Sequence, residues 1–222
     1  MALELIGLEK RYQGRQVLAG AAMTVPAGTI VGLLGANGSG KSTLLGILAG
    51  TVRPEVGQAL WNGEDLLADP ALRRRTVGYV PQGSCLFEDL SARDNLRLWY
   101  DRRVLDRELS EGILGALGIP EFLDKRVSAL SGGMKKRLSI GCAVANHPPL
   151  LLLDEPSSAL DLRGRGELLD RMRAMREGGV TLLLSTHDLQ EIAACDRLYL
   201  LKEGVLRPVE YDGSPETLAG LL

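Results

Sequence analysis

The residues Gly35-Ala36-Asn37-Gly38-Ser39-Gly40-Lys41-Ser42, followed by Thr43, fit the pattern G-x-x-x-x-G-K-[ST] at every fixed position. Their types say what such a segment holds. Glycines at 35, 38 and 40 let the backbone wrap closely around phosphate, whose charge is met by amide N–H groups and by the positive end of a following helix. Lys41 adds a point charge for the β- and γ-phosphates, and Ser42 offers a hydroxyl oxygen to magnesium, a hard cation that takes oxygen ligands. The implied ligand is a magnesium nucleotide. The loop by itself does not separate ATPases from GTPases or small-molecule kinases.

A second group lies at Leu150-Leu-Leu-Leu-Asp154-Glu155, an apolar run that closes in two adjacent carboxylates before Pro156. Successive residues at a strand end point in different directions, so Asp154 can face the metal while Glu155 faces an attacking water. His187 follows another apolar run, Thr181 to Ser185. The segment Leu130-Ser131-Gly132-Gly133-Met134 is a further candidate: Ser131 suits a helix N-cap, the two glycines leave their amides bare, and Met134 to Ala145 reads as a helix. Such a helix start would be a second anion site.

These groups need elements to hold them. Thr29 to Leu34 reads as a strand buried on both faces, and Lys41 to Leu48 as a helix stopped at Gly50 with Pro54 beyond. The alternation returns late, with Leu150 to Leu153 a strand, Arg163 to Arg176 a helix, Thr181 to Ser185 a strand and Asp188 to Ala194 a helix. In a parallel α/β sheet, ligands collect at the carboxyl ends of strands, where the loop, the acidic pair and the histidine would all meet. Leu3 to Leu8, Val17 to Met23 and Arg197 to Val209 are strand-like pieces with turn residues at Gln13-Gly14 and Glu203-Gly204, and they predict hairpins. Phe87 to Ala145 is mainly helical in pattern. The expected fold is α/β: a P-loop NTPase core with a mostly parallel sheet, an N-terminal antiparallel β region and an inserted helical lobe at about 87–145, all within one domain spanning 1–222.

Composition limits the function classes. A chain of 222 residues holds one good core, and with 45% hydrophobic but 4% aromatic residues that core is aliphatic. A net charge of −2 offers no electrostatic footprint for nucleic acid. Cys85, Cys142 and Cys195 are widely spaced and odd in number, which fits neither a disulfide framework nor a zinc site and suits a reducing cytosol. The start lacks the basic and apolar segments of a signal peptide, and no apolar run approaches the ~18 residues of a spanning helix. Any membrane role would come through a partner.

Leu130 to Met134, followed by Lys135-Lys136-Arg137-Leu138 ahead of the acidic strand, resembles the signature segment of the ATP-binding cassette family. The resemblance runs over nearly the whole chain. It departs from the commonest signature at Met134, where a glutamine usually stands, leaving the Ser-Gly-Gly contacts intact. The resemblance implies ATP and Mg²⁺ as ligands, with Gly35 to Thr43 around the phosphates, Tyr12 stacking on adenine, and Ser131, Gly132 and Gly133 reaching the γ-phosphate held by another subunit. It further implies Glu155 as the base that polarises water, Lys41 as a stabiliser of developing charge, and His187 as the group that positions the γ-phosphate. Magnesium would be held by Ser42, Asp154 and Gln82, with Gln82 also touching the attacking water. Ser157 to Asp161 resembles a loop that crosses a dimer interface. Read without the family, Tyr12 is equally a packed strand residue, Gln82 a solvated amide, Asp161 an N-cap and His187 a structural histidine.

The implied protein is an ATPase that works as a head-to-tail dimer, with itself or with a related subunit, and drives a separate transmembrane permease at the cytoplasmic face of the membrane. Leu86, Phe87 and Leu90, within a groove at Gln82 to Asn95, are the expected socket for the permease, unless they pack inside the lobe. A short single cassette with no added C-terminal domain resembles an exporter half more than an importer. Cassette ATPases of DNA or ribosomes form the alternative class. They usually carry coiled-coil insertions, zinc motifs or tandem cassettes, none of which this sequence has.

Overall fold

A computed structural model describes residues 2–83, 85–158 and 160–211. Ser84 of the expected groove, Ala159 of the expected interface loop, and Met1 and 212–222 of the expected domain lie outside these residues. The chain opens with a hairpin, β1 (Leu3–Tyr12) and β2 (Arg15–Val25), then β3 (Ile30–Leu34), helix α1 (Lys41–Ala49), β4 (Val56–Trp61), β5 (Glu64–Asp65), α2 (Pro70–Thr76) and β6 (Val77–Val80). Helices α3 (Ala92–Arg97), α4 (Arg102–Ser110), α5 (Ile113–Ala116) and α6 (Gly132–Ala143) follow, with two short 3-10 turns before α6. Then come β7 (Leu150–Asp154), α7 (Leu162–Glu177), β8 (Thr181–Ser185), α8 (Leu189–Ala194), β9 (Arg197–Lys202) and β10 (Val205–Val209).

Two sheets result. One is antiparallel with order β2-β1-β4-β5; the other has order β10-β9-β3-β8-β7-β6 and is parallel except for its β9–β10 edge hairpin. The turns Gln13-Gly14, Asn62-Gly63 and Glu203-Gly204 all have positive φ at both positions, the geometry whose twist matches a tight hairpin. β1 runs past Leu8, where the sequence reading ends it, because Glu9 to Tyr12 are paired with β2 up to that turn. Leu3, Leu5 and Leu8 are all buried although their spacing breaks strict alternation. A register shift with Gly7 at φ 58 absorbs the extra residue and returns Leu8 to the buried face, while Ile6 stays exposed.

The all-leucine β7 explains how the sheet is sandwiched. Leu150 and Leu152 join a core with β1, β2, α1 and Leu183, while Leu151 and Leu153 join a second core with Leu138 and Ile140 of α6, Leu168 and Met172 of α7, and Phe122. Alternate side chains of one strand therefore hold the antiparallel sheet to one face and the helices to the other. The helical segment shares this second core with the sheet. Inside it, the Tyr100 hydroxyl donates to the Gly141 carbonyl at 2.7 Å, and a Cβ at Gly141 would lie 2.8 Å from both Ile119 Cδ1 and Leu114 Cδ2. Leu86 packs against this core, whereas Phe87 and Leu90 of the expected socket are exposed.

Candidate functional site

Parallel register brings the site together. Because β3, β8, β7 and β6 are neighbours, with Leu33 opposite Ser185, Ser185 opposite Asp154 and Leu153 opposite Val80, their carboxyl ends lie in one row. The segments leaving that row carry the glycine loop, His187, the acidic pair and Gln82. A cavity of about 350 Å³ is lined by Val17, Asn37, Gly38, Gly40, Lys41, Ser42, Thr43, Gln82, Glu155 and His187.

The loop after β3 is built from backbone that only glycine adopts freely. Gly40 precedes α1 at φ 111, and a Cβ there would lie 2.8 Å from Val17 Cγ1. Gly38, at φ 76, has open space where a Cβ would go. Lys41 Nζ donates to the carbonyl oxygens of Gly35 at 2.6 Å and Ala36 at 3.1 Å. Burial lowers the pKa of this ammonium, and the fields of Glu155 and Asp154 oppose the shift. The buried Ser39 Oγ has no hydrogen-bond partner among the described residues. A curled row of glycines with a lysine held at its mouth suits a polyphosphate.

Across the cavity, Glu155 sits at φ 44, a left-handed conformation that costs a non-glycine residue about 1–2 kcal/mol. Its N–H, shared between the Ser185 carbonyl at 3.1 Å and the Ser185 hydroxyl at 3.0 Å, holds the bend. The bend sends the side chain into the cavity, where Gln82 Nε2 donates to Oε2 at 2.8 Å and His187 Nδ1 lies 3.7 Å from Oε1. Asp154 stays on the strand, 3% exposed, and its Oδ1 accepts from Ser185 Oγ at 2.5 Å. The two carboxylates thus differ in direction and burial, as a metal ligand and a water-polarising base would.

Not every expected residue is here. Tyr12 ends β1, 44% exposed, with Lys10 Nζ 5.2 Å from its ring centroid, and it does not line this cavity. Ser131, Gly132, Gly133 and Asp161 line a different cavity of about 730 Å³ between α6 and α7, which shares no lining residue with the first. There Ser131 caps α6 by accepting from Met134 N at 3.3 Å, and Asp161 caps α7 by accepting from Gly164 N at 2.8 Å. Val17 and Ser185 take part in the site without having been singled out in the sequence. Ser185 had a signal, a hydroxyl ending an apolar strand; Val17 comes from the other sheet and had none.

A glycine cradle before a helix, opposed by an acidic strand end, an amide and an imidazole, defines a nucleoside-triphosphate site. The family model described as ABC transporter matches residues 18–158. Nod factor export ATP-binding protein I of Rhizobium sp. (strain N33) is 36% identical over 225 residues, 98% of this chain and 72% of the relative. The spermidine/putrescine import ATP-binding protein PotA of Spiroplasma citri is 37% identical over 229 residues, covering 97% of this chain and 64% of the relative. Among solved structures, a dimeric post-hydrolysis state of the ATP-binding cassette MJ0796, bound to ADP and Pi, superimposes with a TM-score of 0.83 at 26% identity, covering 94% of this chain and 98% of that one. The chain belongs to the ABC transporter family, as an ATP-binding subunit with ATPase activity.

Proposed function

We propose that two cassettes, two copies of this chain or one copy with a related subunit, close head to tail on two ATP molecules, and that hydrolysis drives a separate transmembrane permease. The observation that carries this reading is the separation of the two cavities. One chain has a phosphate cradle at Gly35 to Ser42 and, elsewhere, a bare helix start at Ser131 to Gly133. A nucleotide in the cradle can use both kinds of contact only when a second chain supplies the helix start. Binding of ATP then favours the closed pair, and loss of the γ-phosphate removes the shared contact.

Within each site Glu155 polarises the attacking water, its carboxylate aimed by Gln82 and its backbone by Ser185. His187 positions the γ-phosphate. Lys41 releases the Gly35 and Ala36 carbonyls and turns to the β- and γ-phosphates, where its charge offsets the charge that develops in the transition state. Ser42 and Gln82 line the cavity and Asp154 lies buried at the strand end beside Glu155; their oxygens are hard donors that would hold a magnesium ion, which neutralises phosphate charge. Tyr12 lies outside the phosphate cavity, as a residue for the base rather than the phosphates must, and its exposed ring is free to stack on adenine.

Among the described residues no helix is long and apolar enough to cross a membrane. Association with the cytoplasmic face of a membrane would therefore run through the permease, docked near exposed Phe87 and Leu90. The matched relatives include proteins named for export and for import. In the test of the base, Glu155→Gln keeps the affinity for ATP and loses at least about a hundredfold in turnover, within the range general-base removal produces. Wild-type turnover in this variant would overturn the assignment.

A further inference from the structure

Among the described residues the His187 imidazole makes no hydrogen bond: its Nδ1 lies 3.7 Å from Glu155 Oε1, and its side chain is 62% exposed. Its place is therefore set by the backbone on either side of it. On one side the buried Thr186 donates its N–H to the Leu33 carbonyl of β3 at 3.2 Å. On the other, Asp188 donates its N–H to the Thr186 hydroxyl at 2.9 Å and starts α8, its Oδ1 accepting from Gln190 N at 2.9 Å and Glu191 N at 3.3 Å.

The second oxygen of Asp188 is held from outside this turn. Arg165 Nη1 donates to Asp188 Oδ2 at 2.6 Å, and the aspartate side chain is only 12% exposed. A short bond between two charged groups, largely out of water, is among the stronger hydrogen bonds a protein makes. The same guanidinium donates from Nε to the Leu160 carbonyl at 3.2 Å. Arg165 stands in the first turn of α7, where its N–H donates to the Asp161 carbonyl at 3.0 Å. Leu160 and Asp161 close the loop expected to cross the dimer interface, so one planar side chain spans that loop and the carboxylate next to His187. Arg165 and Asp188 line a cavity of about 410 Å³ together with Ser157, Glu155 and His187. Glu155 and His187 are the lining residues that this cavity shares with the phosphate cavity.

We propose that Arg165 is a positioning residue for hydrolysis: by joining the Leu160 carbonyl to Asp188 it fixes the turn that carries His187, and it makes the placing of that histidine depend on the interface loop. The inference rests on the reading of His187 as the group that positions the γ-phosphate. Neither Arg165 nor Asp188 lines the phosphate cavity, so loss of their bond acts on turnover rather than on nucleotide binding. When a second cassette engages the loop that ends at Asp161, the guanidinium carries that contact to the chain's own histidine through directly bonded groups.

The test is steady-state ATP hydrolysis by the purified full chain across ATP concentrations, with binding of a fluorescent ATP analogue measured on each variant. Arg165→Gln is expected to lower kcat about tenfold with KM and analogue affinity within about twofold of wild type, the pattern of an interaction used only in the transition state. Asp188→Asn, which keeps an oxygen to cap α8 and removes the charge that Arg165 meets, is expected to do the same, and it serves alone if Arg165→Gln does not fold. The double variant should be no slower than either single one, whereas two independent losses would multiply to about a hundredfold. Wild-type kcat in either single variant, a rise in KM that matches the fall in kcat, or a double variant at the product of the two losses each overturns the proposal. Wild-type kcat in Arg165→Gln with turnover lost in His187→Ala overturns this inference alone; wild-type turnover in His187→Ala overturns the reading of the histidine, and the inference with it.

Discussion

Ser185 is the hinge of the acidic site. Its fully buried hydroxyl donates to Asp154 Oδ1 at 2.5 Å and accepts from Glu155 N at 3.0 Å. Ser185→Ala removes one oxygen and opens no cavity that a neighbour must fill, so the effect is one of hydrogen bonding. Glu155 N keeps the Ser185 carbonyl at 3.1 Å, and that bond contributes little to the loss. Asp154, 3% exposed, is left with a carboxylate oxygen short of a donor, and bonds to a charged group are worth about 1.5–3 kcal/mol. A loss of about 2 kcal/mol lowers the melting temperature of a chain of this size by about 4–8 °C. Thermal unfolding followed by circular dichroism reads this directly, with Ser158→Ala as the comparison. Ser158 also makes a bond, 2.9 Å to the Glu155 carbonyl, but it is exposed, and its loss should shift the midpoint by less than about 2 °C. A Ser185→Ala midpoint within about 1 °C of wild type would refute the claim that this hydroxyl carries the buried acid.

Two further outcomes follow from the packing. Burial pushes the thiols of Cys142 and Cys195 up to about 12, so at pH 7.5 both are protonated, and both are only partly exposed, whereas Cys85 is exposed. Mass spectrometry after iodoacetamide treatment should find Cys85 modified in the native chain and the other two only in denaturant; labelling of Cys195 at the rate of Cys85 would contradict the packing around α8. Tyr100→Phe strands the Gly141 carbonyl in the core between α6 and the other helices, at a cost of about 1–3 kcal/mol measurable by urea unfolding. An unchanged midpoint would mean that water satisfies this carbonyl.

What the sequence made legible was local. The loop from Gly35 to Ser42, the leucine strand ending at Asp154 and the Ser131 cap each carry their reason within a few neighbouring residues, and each lies where the pattern put it. β4, β5 and α2 went unread although Asn62-Gly63 and Asp69-Pro70 are good turn and helix-start signals, because Val56 to Trp61 alternates weakly and its Val56 points outward. The contacts that complete the site were not legible. That Val17 from the other sheet borders the cradle and that Ser185 holds both acids depend on register and on packing between distant segments. Tyr12 is the intermediate case, a residue whose place on the strand is readable and whose relation to the site is not.

The most direct test of a site shared between two chains is complementation. Lys41→Ala spoils the cradle and leaves the signature intact, while Ser131→Arg does the reverse, and each variant alone should hydrolyse ATP at background rate. Mixed in equal amounts, half of the pairs would be hybrids with one sound site of two, so about a quarter of wild-type ATPase activity should return. A mixture as inactive as either variant alone would contradict a nucleotide site built from two chains.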